Sequence, residues 1–470
     1  MECMMTPMRS RAQFHVGDDP ELIDVGDIGF LTPPDRTDGN RCEGYRCLGS
    51  TKTPALVYFP PGTYKVSSTI KIGVHTQLVG DAEDWPTIKA TSNFGANVVV
   101  DGSPQDADGR RWHGNRAEFH IHKAIRYLKI DVTDVDAAVN VACLNWAVGQ
   151  GTSLRSMAFK MRVNSRHLGV TMTHRGSGMF MGELVSLLIA LSFAAISSDQ
   201  QQSFYGGDRA LTVLNQRFHF RNLKFHRART AIQVDGPGVS VFQDIEFIDC
   251  GTGIDAREDA SFTLLDSTAR NVRRVITTRE LGKNESGRAG SIVIDNLHAV
   301  DVKSIMDDDS NLNQAIRDGV EGEIILDTWT RGTGTVSFDS AEDDPEDGIE
   351  QKTLSSTNGH EASSFKPDVL LGDGGKYFTR PRPSYEDAEV DDIVNVKDRG
   401  ARGDGKADDT HVLNEILLEN AENGKITYFP HGIYVVTDTI YIPPNSSIIG
   451  EVWSTINGMY IYSSITFNEY

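Results

Sequence analysis

Three segments of the chain recur at a fixed step of 22 residues: FRNLKFHRARTAI from Phe220, FQDIEFIDCGTGI from Phe242 and LLDSTARNVRRVI from Leu264. Their last positions, Ile232, Ile254 and Ile276, keep the same step, and VIDNLHAVDVKSI, Val293 to Ile305, follows as a fourth unit after a seven-residue excursion. A period of this length belongs to a solenoid, in which no unit buries its own apolar face and stacked units do so together. Within a unit the apolar positions (Phe220, Leu223, Phe225; Phe242, Ile245, Phe247) sit among β-branched residues and Gly or Asp turns, without a sustained helical period. The expected fold class is all-β, a parallel β-helix; a β-sandwich with coincidental spacing is the alternative.

A longer repeat encloses this one. YFPPGTYKVSSTI, Tyr58 to Ile70, returns as YFPHGIYVVTDTI, Tyr428 to Ile440, 370 positions later. The first leads into TQLVGD and the second into SSIIGE, so each reads as the opening coil of a β-helix. Ahead of the second copy, Gly400, Gly403 and Gly405 form a turn, Asp409 or Thr410 caps a helix, and Val412, Ile416, Leu417 and Leu418 face inward until the helix ends near Gly424. The expected organisation is an atypical segment over 1–40, a first β-helix over 41–331, an acidic Ser/Pro/Gly-bearing linker over 332–391 and the start of a second β-helix over 392–470.

Composition excludes some functions. Forty-six basic against sixty-six acidic residues leave a formal charge of -20, which repels nucleic acid and anionic lipid. The longest apolar run, Leu184 to Ile196, is thirteen residues, short of the ~20 that span a bilayer. Five cysteines are too few for a disulfide framework; Cys42 and Cys47 are close enough to close a small loop, while Cys143 and Cys250 lie in apolar strand-like runs and read as buried thiols. No zinc spacing or cofactor motif is present, so no metal or cofactor is expected, and the chain is expected to be a monomer. The first residues hold no continuous apolar stretch, so no signal peptide is legible.

KDRGARGDGKADDT, YFPPGTYKVSSTI with TQLVGD, NWAVGQGTSLRSMAF, GSGMF and NQRFHFRNLKF together carry a resemblance. Over about residues 40–458 the chain resembles the pectate-lyase-like β-helix superfamily and, within it, glycoside hydrolase family 55, the tandem β-helix exo-1,3-β-glucanases. The resemblance implies a right-handed solenoid, an extracellular location, β-1,3-glucan as partner, and an inverting hydrolase with its pocket at the junction of two helices. Inversion needs a protonated carboxyl on one side of the scissile bond and a held water on the other, ~6.5–9.5 Å apart.

Carried onto this chain, the water-holding residues are Gln150 in NWAVGQGTSL and Ser177 in GSGMF, and Trp146 offers an apolar face to a sugar ring. From the residues alone, Gln150 equally suits a stacked polar ladder, Ser177 a turn and Trp146 the core. Glu183, Glu415 and Asp408 read as solvated carboxylates near motifs.

The pattern is departed from in several places. Ala147 stands where the family commonly has Gln. The coils carrying the family's general-acid Glu would lie beyond Tyr470, so no residue inherits that role and the chain is expected to be truncated, and inactive or impaired. Residues 186–203 separate GSGMFMGELV from FYGGDRALTVLNQRF and read as an eighteen-residue insertion or a translated intron. Two other functions compete. A pectin- or galacturonan-active lyase or hydrolase would need clustered Asp with an Arg or Lys on the coil face, and no such cluster is legible. A non-catalytic glycan-binding solenoid needs neither.

Overall fold

A computed structural model describes residues 55–105, 109, 120, 122–149, 151–172, 182–185, 202–214, 218–236, 239–257, 260–279, 290–308, 316–336, 352–361, 366–379, 385, 388–450 and 454–458. The chain divides into two compact units, with the boundary between Pro381 and Arg382.

The larger unit is a parallel β-helix. Phe220 pairs with Phe242 and Phe242 with Leu264, while Ile232 pairs with Ile254 and Ile254 with Ile276, all in parallel ladders. The 22-residue step is therefore one turn of the column. The fourth rung is offset from the expected alignment: Leu264 faces Ile294 and Ile276 faces Met306, one residue later than Val293 and Ile305. Because strand side chains alternate, a one-residue slip exchanges inside for outside. Ile294 is fully buried and Val293 only half-buried.

Phe220 and Leu223 both point inward although they are three residues apart, which a flat strand forbids. The cause lies in the backbone between them. Asn222, Asp244, Asp266 and Asn296 hold φ between 49° and 59°, a left-handed conformation that Asn and Asp tolerate best, so each rung bends at the same place. Inside the bend, Phe159, Phe204, Phe225 and Phe247 stack along the column with centroid spacings of 4.8, 4.7 and 5.8 Å.

Phe204 also corrects the limits of the expected insertion. Val185 pairs with Arg155 and Arg221, and Gln202 resumes the rung opposite Leu223. Between Arg221 and Leu223 the neighbouring rung has the single residue Asn222, so the sixteen residues 186–201 stand where one belongs. Ser203, opposite Ala158, is part of the rung. Removing all eighteen expected residues would leave Val185 three positions short of Phe204; the surplus is fifteen.

The column ends antiparallel. Ile316–Val336 lies against Ile292–Asp308, and Lys352–Glu361 lies against Ile316–Val336. This covers the last rung's open edge and buries Leu326 and Trp329. The stretch expected as linker from 332 thus begins inside a strand. Residues 366–379 return to the rungs: Lys376 pairs with Asp244 at 2.7 Å, and Tyr377 gives its backbone N–H to Asp266 and its hydroxyl to Asp295, both at 2.9 Å.

The smaller unit has two three-stranded parallel sheets, Ile393–Asn395 with Ile426–Phe429 and Ser447–Gly450, and Asp404–Asp408 with Gly432–Val436 and Ser454–Gly458. Its helix α1 spans Thr410–Glu422. Leu413, Ile416, Leu417 and Asn420 form its buried face, whereas Leu418, expected inside, is 52% exposed. The i, i+3, i+4, i+7 spacing accounts for the choice. The repeated YFP phrase folds alike in both units: Phe59 meets Tyr64 edge to face at 5.5 Å and Phe429 meets Tyr434 at 5.4 Å. Each Tyr hydroxyl caps the carbonyl of its own turn proline, Pro60 at 2.9 Å or Pro430 at 2.8 Å.

Candidate functional site

The NWAVGQGTSL turn leaves the column at the end of the strand Ala142–Asn145, every residue of which is buried. Asn145 gives its side-chain N–H to Asp101 at 2.8 Å, and its carbonyl takes the Gly102 N–H at 2.8 Å. A Cβ on Gly102 would sit 2.9 Å from that carbonyl and 3.0 Å from the Trp146 ring, so the two rungs approach this closely only with glycine there. The backbone N–H of Trp146 then donates to the Thr171 carbonyl at 2.7 Å. Its indole is 1% exposed and belongs to the apolar core, so it presents no face to solvent.

The far side of the turn is tied to one short segment. Gly149 donates to the His120 carbonyl at 3.0 Å, Ser153 to the Lys123 carbonyl at 3.0 Å, and the Thr152 hydroxyl closes on the Gly149 carbonyl at 2.8 Å. Gly151, with φ of 62°, leaves room for the His122 ring, 2.7 Å from where a Cβ would stand. Gln150 and Ser177 lie outside the described residues.

Lys123 anchors this segment, and sequence reasoning passed it over. Its ammonium is fully buried, donates to the carbonyls of Ile72 at 2.8 Å and Gly102 at 2.6 Å, and lies 3.5 Å from His120 Nδ1. It thereby binds three rungs together beneath the Asn145–Trp146 corner. Burial pushes its pKa down to about 7, with nearby Asp101 acting in the opposite direction. Nothing in HIHKAIRYLKI marks this lysine, because its partners lie 51 and 21 positions away.

Along the same sheet, polar residues occupy one register position rung after rung. Lys71, Asp101, Asn145 and Thr171 form one such ladder, and Thr212, Gln233, Asp255, Thr277 and Asp307 form another. The second is bordered by arginines and by Asp208. Among the described residues no three His, Cys, Asp or Glu side chains are grouped to hold a metal ion.

The other carboxylates have local structural work. Asp409 makes no side-chain cap to α1; its two oxygens instead take the N–H groups of Arg402 at 2.7 Å and Gly403 at 3.0 Å, holding the glycine turn. Asp408 accepts from the Thr410 N–H at 3.0 Å and the Thr437 hydroxyl at 2.6 Å, and these bonds, with that of the Thr410 hydroxyl, lower its pKa to about 2. Glu415 lies 3.4 Å from His411 on the exposed side of α1. Glu183 is in the strand Gly182–Val185, opposite Ser153 and His219.

A family model described as rhamnogalacturonase A/epimerase, pectate lyase-like, matches residues 26–255 and 393–461. A probable glucan endo-1,3-beta-glucosidase of Arthroderma benhamiae is 30% identical over 88% of this chain and 54% of its own length. A glucan 1,3-beta-glucosidase of Cochliobolus carbonum is 27% identical over 92% of this chain and 51% of its own. A protein of Penicillium expansum named non-secreted LysM effector LysM19 is 31% identical over 89% of this chain and 31% of its own. The chain therefore spans about half, or less, of the length of these relatives.

Proposed function

The chain belongs to the rhamnogalacturonase A/epimerase, pectate lyase-like family, in its glycoside hydrolase family 55-type glucanase form, and from that premise we propose that it acts on β-1,3-glucan. The observation that carries this reading is the run of similarity to named 1,3-β-glucosidases across nearly the whole chain.

In this reading Gln150 and Ser177 hold a water on one face of the terminal sugar. An amide oxygen or a hydroxyl accepts one of its protons in a hydrogen bond, leaving an oxygen lone pair directed at the anomeric carbon. The glycosidic oxygen departs from the opposite face with a proton from a carboxyl group, the attacking water gives up its own proton to solvent as its oxygen bonds to the anomeric carbon, and the product forms with inverted configuration. The rigid frame around Gln150 serves the positioning that such a water needs. No described carboxyl is assigned as the proton donor. An extracellular location accords with the glucanase relatives, and the Penicillium expansum relative named non-secreted stands against it.

Incubating the full chain with laminarin, with polygalacturonate as control, tests the reading. Release of glucose as the α-anomer from laminarin alone supports it, and neither binding nor cleavage of laminarin ends it. Glycan binding without turnover is the second reading, favoured by the Penicillium expansum relative, which is named as an effector and not as a hydrolase.

A further inference from the structure

The YFP phrase opens a rung in each unit, and the two copies differ in what lies above them. In the larger unit Leu78 and Ile88 are 2% and 0% exposed, because the strand Ala124–Asp131 pairs over both, with Leu78 opposite Ile125 and Ile88 opposite Ile130. Ile448 and Ile456 hold the same places in the smaller unit. Leu78 follows Tyr58 at the distance at which Ile448 follows Tyr428, and Ile88 pairs with Tyr64 as Ile456 pairs with Tyr434. Ile448 lies over Thr427 and Ile456 over Tyr434, both of them buried, yet the two isoleucines are 38% and 51% exposed. They are pieces of core that no rung covers among the described residues.

The strands that carry them, Ser447–Gly450 and Ser454–Gly458, end their sheets, each pairing on one side only among the described residues. The other side of each presents a row of backbone N–H and C=O groups, a template for a further strand. Edge strands that must stay unpaired commonly carry charge. Neither of these strands contains a charged residue, in a chain with a formal charge of -20, and Glu451 is the one charged residue between them. Two acidic chains repel each other over most of their surface and least where that surface is neutral.

We propose that this terminal rung docks against the same rung of a second copy of the chain, related by a two-fold axis. Such an axis reverses the sense in which the backbone circulates, so the facing strands run antiparallel and each edge meets the donors and acceptors of the other. The chain already uses that arrangement at the end of the larger unit, where Ile316–Val336 closes the last parallel rung antiparallel. Ile448 and Ile456 of the two copies meet across the junction and cover each other, as Ile125 and Ile130 cover Leu78 and Ile88. One partner saturates the edge, so assembly stops at a dimer, in place of the monomer expected from the sequence. Two short strands and two isoleucines from each copy make a small contact, whose dissociation constant falls in the micromolar range. The dimer is independent of the glucan reading, which concerns the turn at Gln150.

Sedimentation velocity on the full chain across a micromolar concentration series tests this, with amide hydrogen exchange at both ends of the series to locate the contact. A monomer should give way to a species of twice its mass and none larger, while exchange slows in Ser447–Gly450 and Ser454–Gly458. Added salt should tighten the dimer, because screening relieves the repulsion between two acidic chains and leaves the apolar contact intact. Ile456→Lys and Ile448→Lys, each of which sets like charges against one another at the junction, should weaken dimerisation about ten-fold or more. Exchange on the wild type needs neither variant and serves if both misfold. The proposal is overturned if the chain stays monomeric, if it grows into open polymers, if salt weakens the dimer, or if the protected amides lie elsewhere. It is also overturned if the lysine variants, shown folded by circular dichroism, dimerise as the wild type does. Slow exchange in both strands at every concentration, in a monomeric chain, overturns it too, since the edge would then be covered within one copy.

Discussion

Phe204 and Phe225 stack with ring centroids 4.7 Å apart and planes inclined by 15°, continuing a line of rings that runs from Phe159 to Phe247. That contact places the segment 202–205 within a rung, beyond a surplus of fifteen residues relative to its neighbours. Phe204→Ala is expected to destabilise the larger unit by about 3–5 kcal/mol, the cost of a buried phenyl ring plus the cavity it leaves. Denaturant unfolding followed by near-UV circular dichroism reads the change.

Deleting residues 187–201 leaves Ser186 between Val185 and Gln202, as Ser156 stands between Arg155 and Met157 in the rung below. The shortened chain is expected to keep its fold and melt at or above the wild-type temperature, since its rung then has the same number of residues as its neighbours and a shorter connection to close. Deleting residues 186–203 starves the rung of three positions and is expected to lower the melting temperature or prevent folding. Scanning calorimetry on the two deletions distinguishes them.

Lys123 makes the stability of the larger unit depend on pH. Its folded pKa, about 7, is below its ordinary value of 10.5, so between these limits the unfolded chain binds a proton that the fold does not. Its contribution therefore rises with pH from 7 towards 10. Lys123→Met should abolish that rise and, at pH 9, cost about 2 kcal/mol through the orphaned carbonyls of Ile72 and Gly102. Unfolding curves at several pH values, wild type beside variant, supply the comparison.

Asp409→Ala strips two backbone N–H groups, on Arg402 and Gly403, of their charged acceptor. The smaller unit is expected to lose about 3 kcal/mol, while Asp409→Asn, which keeps one acceptor oxygen, loses less. Amide exchange at Arg402 and Gly403 reports the loosened turn directly.

Cys143 and Cys250 are free and buried, and burial raises both thiols, Cys250 to about 11. Neither should react with iodoacetamide at pH 8 until the column opens, because the thiolate is the reactive form. Mass spectrometry of alkylated peptides across a denaturant series tests this.

Much of the architecture could be read from spacing. The 22-residue step gave rungs that pair as expected at Phe220, Phe242 and Leu264, and the twin YFP phrases gave two openings with matching Phe–Tyr contacts. Periodicity carries that much because a rung's length and its apolar positions are local properties of the chain. It could not give the fourth rung's phase, since an excursion of eight residues and one of seven differ only in which side of the strand faces the core, as Ile294 and Val293 do.

The partners of the polar residues were decided by tertiary structure alone. Arg229, Asp255 and Thr277 are unremarkable in their own segments and become one groove only when successive rungs stack. Lys123 finds its acceptors on two other rungs, and Asp409 turns from the helix it precedes to the glycine turn behind it. A sequence determines what each rung offers to its two sides. Stacking, driven by burial of the apolar side, determines which offered groups meet, and it is there that binding chemistry arises.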